Sequence, residues 1–177
     1  MRAYTLISSS CEDETVPKQQ PTAEPWRDPS TGPCACAQLR RASRAISILY
    51  DEFLGAAGVT VTQYGILVNI ARGDKVSRTS LAAIMGMDRT TLTRNLRPLE
   101  RDGFVEEKPG TDRRERILRL TASGRRRLDR SYPLWNDAQE AFLNRFEVQR
   151  FEELKLLLRG VGDACKATKA EGNRKLK

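Results

Sequence analysis

The residues with most chemical potential are cations and hydroxyls at fixed spacing. Arg89, Thr90, Thr93, Arg94 and Arg97 fall on one side of a helical pattern, with no apolar residue among them. Guanidinium forks match the O6 and N7 acceptors of guanine and the oxygens of phosphates, and short hydroxyls bond to either. A second group, Arg113, Arg114 and Arg116, follows the turn-rich run Pro109-Gly110-Thr111-Asp112. Cations at such a tip reach phosphates, or a narrow minor groove whose negative potential attracts arginine. A third group, Cys34-Ala35-Cys36, offers thiol chemistry at the start of a helical pattern, where a cysteine is more reactive, with Cys11 and Cys165 elsewhere. The chain contains no histidine. That excludes Ser-His-Asp and Cys-His catalysis. Neither a Gly-rich phosphate loop nor a clustered carboxylate pair is present. A CxC pair without histidine does not match the C-x₂₋₄-C spacing of zinc sites. The expectation is a protein that is not an enzyme and holds no metal or cofactor.

These groups need elements to hold them. Ser77 can cap a short helix whose apolar face is Leu81, Ile84 and Met85, and Gly86 supplies the left-handed residue that ends it. Asp88 caps the next helix, in which Leu92, Leu96 and Leu99 recur at spacings of four and three. Two short helices joined by a tight Gly-containing turn, the second with a cationic outer face, form a helix-turn-helix. Gly103 ends that helix; Phe104 to Lys108 and Ile117 to Leu120 read as the strands of a hairpin, and Thr121 caps a further helix. A hairpin in this position makes the unit a winged helix.

The second helix would lie in the major groove with its N-terminal half nearest the base edges. Arg94 is the first candidate for a guanine contact, Thr90 and Thr93 reach bases or phosphates, and Arg89 and Arg97 clamp phosphates. An alternative for Arg97 is an ion pair with Glu100 or Asp102. Pro98 removes one bond of this helix, to Arg94, and is expected to bend its C-terminal half away from the groove.

The formal charge is +8 over 177 residues. Residues 1–33 hold three cations against five carboxylates, −2, so the rest carries +10. A basic folded part suits a partner made of phosphates, although a basic surface also aids solubility. No run approaches the roughly 20 apolar residues that span a bilayer, and the first apolar segment is too short for a signal peptide. The expected location is the cytoplasm, without membrane contact.

Upstream, Leu39, Ala42, Ile46, Leu49 and Phe53 form a helical seam that suits a partner helix. Thr60 and Gln63 form a capping box opening a helix from Val61 to Arg72, whose Tyr64, Leu67, Val68 and Ala71 pack toward the helix-turn-helix. Downstream, Arg125, Arg126 and Arg127 sit where cations oppose the helix dipole, so they contact a phosphate or form a solvated face. Pro133 predicts a kink near Asp129. A last helix, from about Val148, places Phe151, Leu154, Leu158, Val161 and Cys165 at heptad spacing. Terminal seams at both ends most simply pair across a two-fold axis.

In its motifs the chain resembles the MarR family of bacterial winged-helix transcription regulators. The matching residues are Leu81-Ala82, Thr90-Thr91-Leu92-Thr93-Arg94, Leu99-Glu100 with Gly103, Asp112-x-Arg114, Leu120-Thr121 and Gly124. The likeness spans roughly residues 36 to 165. It implies a homodimer on a pseudo-palindromic DNA operator, a repressor released by a small aromatic or carboxylate effector or by thiol oxidation. It also implies that Asp112 braces the wing, leaving Arg113 or Arg114 for the minor groove. A ligand crevice between dimer helices and winged lobe would draw on Arg44, Tyr50, Tyr64 and Trp135, and a redox switch on Cys34 and Cys36. A sequence-nonspecific or architectural nucleic-acid binder is the alternative.

The expected fold is thus mostly α with a small β-hairpin wing, an α+β winged helix-turn-helix with N- and C-terminal dimerisation helices. Its parts are a loosely ordered extension with proline every fourth residue from Pro17 to Pro33 (1–33), a dimerisation helix (34–58), the winged helix-turn-helix (59–121), C-terminal dimerisation helices (122–166) and a frayed basic tail (167–177).

Overall fold

The computed structural model describes residues 34–73, 75–110 and 116–175. Six α-helices and one two-stranded antiparallel sheet follow in order: α1 (Ala35–Leu54), a 3-10 turn (Gly55–Ala57), α2 (Val61–Arg72), α3 (Arg78–Ile84), α4 (Arg89–Arg101), β1 (Val105–Pro109), β2 (Arg116–Leu120), α5 (Ala122–Phe146) and α6 (Val148–Lys175). Nearly every boundary is chemical. Gly58, at φ 65, closes the 3-10 turn in the left-handed region that favours glycine. Thr60 and Gln63 form the capping box of α2, and Asp51 on α1 accepts the Val61 N–H at 2.6 Å. Ser77 caps α3 with Ser80 as its reciprocal partner, a box the glutamate-or-glutamine pattern does not anticipate. Asp88 caps α4, and Thr121 caps α5.

The core lies where α2, α3, α4, the sheet and α5 meet. Leu54, Ile66, Leu67, Leu81, Leu92, Leu96, Leu99 and Leu118 are its fully buried side chains. The strands pair in the register Val105↔Leu120 to Pro109↔Arg116, and Val76 adds an isolated bridge to Leu118 on the far side. That bridge, between α2 and α3, carried no sequence signal because one residue has no periodicity.

Three apolar faces differ from expectation. On α3, Leu81 and Ala82 are buried and Met85 packs on the core, but Ile84 is 61% exposed, since the rotation that turns those three inward carries Ile84 off the inner face. On α2, Ile66, Leu67 and Ile70 face the core, while Ala71 is half-buried and lines a cleft against α5 with Tyr64 and Val68. On α1, Ile46, Leu49 and Phe53 pack on the chain's own core, so this half of the seam is occupied internally.

The helix α5 runs through Pro133, and α4 through Pro98 to Arg101. Helix α6 continues to Lys175, so residues 167–175 extend a helix where a frayed tail was expected. Gly124, in the first turn of α5, is buried against the Phe104 carbonyl; a Cβ there would lie 2.0 Å from that oxygen. Among the described residues no single helix is long and apolar enough to cross a membrane.

Candidate nucleic-acid interface

Helix α4 carries the interface. Its inner positions, Leu92, Leu96 and Leu99, are at most 2% exposed, which fixes the rotation of the helix. The same rotation turns Arg89, Thr90, Thr93, Arg94 and Arg97 outward, all exposed. Among the described residues, these five line an open concavity of about 430 Å³. A helix turned this way has the diameter to enter a major groove, where guanidinium groups meet base edges and phosphates.

The support beneath this face is polar and local. Thr91 donates from its backbone N–H and its hydroxyl to the two oxygens of Asp88, at 2.8 and 2.7 Å. Those bonds hold the Asp88 carboxyl below the usual carboxylate range, so the cap stays charged at neutral pH. Arg89 donates to the Thr79 hydroxyl at 3.1 Å, which ties the start of α4 to α3. Thr93 returns its hydroxyl to the Arg89 carbonyl at 2.8 Å. The alternative for Arg97 does not form: Glu100 is held by Arg78 at 2.5 Å, and Asp102 by its neighbour Arg101 at 2.9 Å.

Arg78 does more than hold Glu100. Its Nε also reaches Glu107 of β1 at 3.2 Å, and Glu107 lies 4.0 Å from Arg116 of β2. One guanidinium at the start of α3 therefore joins the recognition helix to the first strand of the hairpin, and Glu107 passes the link on to Arg116 of the second. Sequence reasoning did not single out Arg78. Arg116, expected at the tip with the other wing cations, sits instead at the strand in this brace. Arg113, Arg114 and Asp112 lie outside the described residues.

The expected effector residues separate. Tyr64 and Trp135 stack at 5.8 Å between ring centroids, and Tyr132 stacks with Trp135 at 6.2 Å. They line a cleft of about 520 Å³ between α2 and α5, with Arg72 and Asp129 as its charged members. Burial, and then the neighbouring Tyr132, push the Tyr64 phenol up, against an opposing pull from Arg72. Tyr50 is elsewhere: it is buried, its hydroxyl donates to Gln139, and burial raises its pKa. Arg44 is exposed on α1 and does not line the cleft. Arg72 and Tyr132 were missed, because which turns of α2 and α5 face each other is a tertiary fact. Cys34 and Cys36 are both exposed free thiols, Cys34 just before α1 and Cys36 in its first turn. Among the described residues no cluster of side chains has the makings of a metal site.

Known proteins agree with this layout. A family model described as MarR family matches residues 57–115, from the end of the 3-10 turn into the wing. The M. tuberculosis transcriptional regulator MosR, crystallised with DNA, is 36% identical with a TM-score of 0.68, covering 76% of this chain and 98% of that one. The chain belongs to the MarR family. It is a DNA-binding transcriptional regulator by family, with the fold of such regulators rather than of an enzyme. An uncharacterized HTH-type transcriptional regulator of Bacillus cereus is 27% identical over 131 residues, 74% of this chain and 86% of that protein. The fold also matches the Streptomyces coelicolor regulator PcaV, solved with its natural ligand, at 24% identity and a TM-score of 0.66, over 78% and 96% of the two chains.

Proposed function

We propose that this MarR-family regulator is a cytoplasmic homodimer that represses transcription from a pseudo-palindromic operator and leaves it on sensing a small molecule or an oxidant. The observation that carries the reading is the outer face of α4. Five exposed polar side chains converge on one concavity while three leucines fix the helix behind them. Arg94 is assigned to a guanine, Thr90 and Thr93 to bases or phosphates, and Arg89 and Arg97 to phosphates. Arg113 or Arg114 enters the adjacent minor groove.

The dimer rests on surface that one chain leaves uncovered. Leu156, Leu157, Leu158 and Val161 on α6 are 64, 68, 46 and 42% exposed, and Ile48 on α1 is 61% exposed. A groove of about 480 Å³ between α1 and α5, lined by Leu49, Phe53, Phe142 and Phe146 among others, offers further apolar area. A patch of this kind on a soluble regulator marks an interface, and a second copy closes it with two-fold symmetry.

Of the two triggers, an aromatic acid takes precedence. The α2–α5 cleft falls within the roughly 300–1,000 Å³ of small-molecule sites. Tyr64, Tyr132 and Trp135 would give a ligand ring an aromatic wall and Arg72 would take a carboxylate. Oxidation at Cys34 and Cys36 is the second route, supported by their exposure at the start of the first dimer arm.

Fluorescence anisotropy of the full-length protein against its own upstream DNA and a scrambled duplex tests both levels. Selectivity lost with peroxide and restored by a thiol reductant assigns the cysteines. Selectivity indifferent to peroxide but lost with an aromatic acid assigns the cleft. Equal affinity for both duplexes overturns the operator reading in favour of an architectural binder.

A further inference from the structure

We propose that the root of the wing carries a second anion site, built by Arg126 and Arg130 of α5 to take a phosphate group. A small cavity of about 150 Å³ there is lined by Phe104, Ser123, Arg126, Arg127 and Arg130, three cations and no carboxylate. Arg127 serves as its wall. Its guanidinium donates to the Ala57 carbonyl and lies over the Phe104 ring at 4.6 Å, which holds it in place. Arg126 and Arg130, one turn apart, are exposed and enter no ion pair among the described residues. Asp129, the one carboxylate between them, lines the α2–α5 cleft instead. The Ser123 hydroxyl is taken by the Gly103 carbonyl at 2.8 Å, so the two free guanidinium groups are the site's donors.

Arg126 and Arg130, four residues apart on α5, are like charges that repel across one helical turn. An oxyanion between them relieves that cost. Guanidinium forks bind phosphate through paired N–H donors, which selects a phosphate group over a chloride ion. The phosphate comes either from a backbone phosphodiester flanking the operator or from a free phosphorylated small molecule. The site is separate from the α4 face and does not depend on its assignment.

The test uses full-length wild type, a charge-removing pair (Arg126→Gln with Arg130→Gln) and a charge-keeping pair (Arg126→Lys with Arg130→Lys). Melting is followed in inorganic phosphate against chloride at equal ionic strength, and DNA affinity is followed against salt. A free-phosphate site shows a phosphate-dependent rise in Tm that the glutamine pair abolishes and the lysine pair partly keeps. A DNA-backbone site leaves melting unmoved but lowers the salt slope by roughly 2 in the glutamine pair, about 0.9 per lost phosphate contact. Arginine Nε NMR signals of the wild type supply a readout without substitution. If neither phosphate nor duplex moves the Arg126 and Arg130 signals, or the glutamine pair keeps both the Tm rise and the slope, the proposal is overturned.

Discussion

In the winged lobe, apolar residues find partners in their own chain: Leu81, Leu92, Leu96, Leu99 and Leu118 are 0–2% exposed. On α6 the same residue type stands in solvent, with Leu156 and Leu157 at 64 and 68%. Phe151, the aromatic residue at the foot of α6, is the exception, packing edge-on against Phe142 of α5 at 6.0 Å. The lobe is therefore complete as one chain, and the distal part of α6 is not. Lobe stability and the proposed assembly rest on different regions, which lets one substitution strike either without the other.

Leu96→Ala should cost about 2–5 kcal/mol of lobe stability by leaving a cavity under α4. Leu157→Asp should leave the lobe folded and break the proposed dimer. With one half-site left, operator affinity falls by roughly 2–5 kcal/mol, half of the ~4–10 kcal/mol that separates specific from nonspecific binding. Sedimentation and thermal melting of the two variants check the contrast. It breaks if Leu157→Asp melts early or stays dimeric.

Within the lobe, Gly124→Ala must push the Phe104 carbonyl aside, so a loss of at least about 1–3 kcal/mol is expected in urea melts. Gly55→Ala has nothing within 4 Å of the new methyl and should stay within about 0.5 kcal/mol of wild type. Arg94→Ala should leave melting unchanged and remove about 1–3 kcal/mol from the specific site, relaxing one base preference in a competition assay. Equal weakening on every sequence would reassign Arg94 to phosphate.

Arg78→Ala removes the brace between α4 and the hairpin. Its groups are about a third exposed, so the cost to stability is small, about 0.5–1 kcal/mol after solvent screening. The wing's footprint should loosen more than that of α4. The smallest effect is acid sensitivity at Asp88. Its folded pKa lies below the unfolded value, so the cap's contribution is present above the unfolded pKa and is lost as pH falls through the folded one. Protection factors at the start of α4, corrected for the intrinsic pH dependence of amide exchange, should fall below about pH 4 in wild type and stay constant in Asp88→Asn.

Much of this was legible locally. Ser77, Asp88, Thr60 with Gln63, Gly86 and Thr121 name their helix ends because capping and left-handed glycine depend only on neighbours in sequence. The leucine spacing of α4 likewise placed its five polar residues on the opposite face, since one rotation sets both. The Glu100 half of the Arg97 alternative failed for a reason no local pattern holds, since Glu100 is taken by Arg78, 22 residues earlier, whereas Asp102 is taken by its own neighbour Arg101.

The sequence alone thus determined the elements, their caps, the family motif and the cationic face of α4, all products of short-range backbone chemistry and helical period. Tertiary structure decided which faces meet. It put Tyr64 beside Trp135 and Arg72 while sending Tyr50 to Gln139, and spent Arg127 on Ala57 and Phe104. It also made Arg78 the link from recognition helix to wing. Those outcomes rest on contacts between residues far apart in the chain, where burial and geometry choose among partners that composition leaves equivalent.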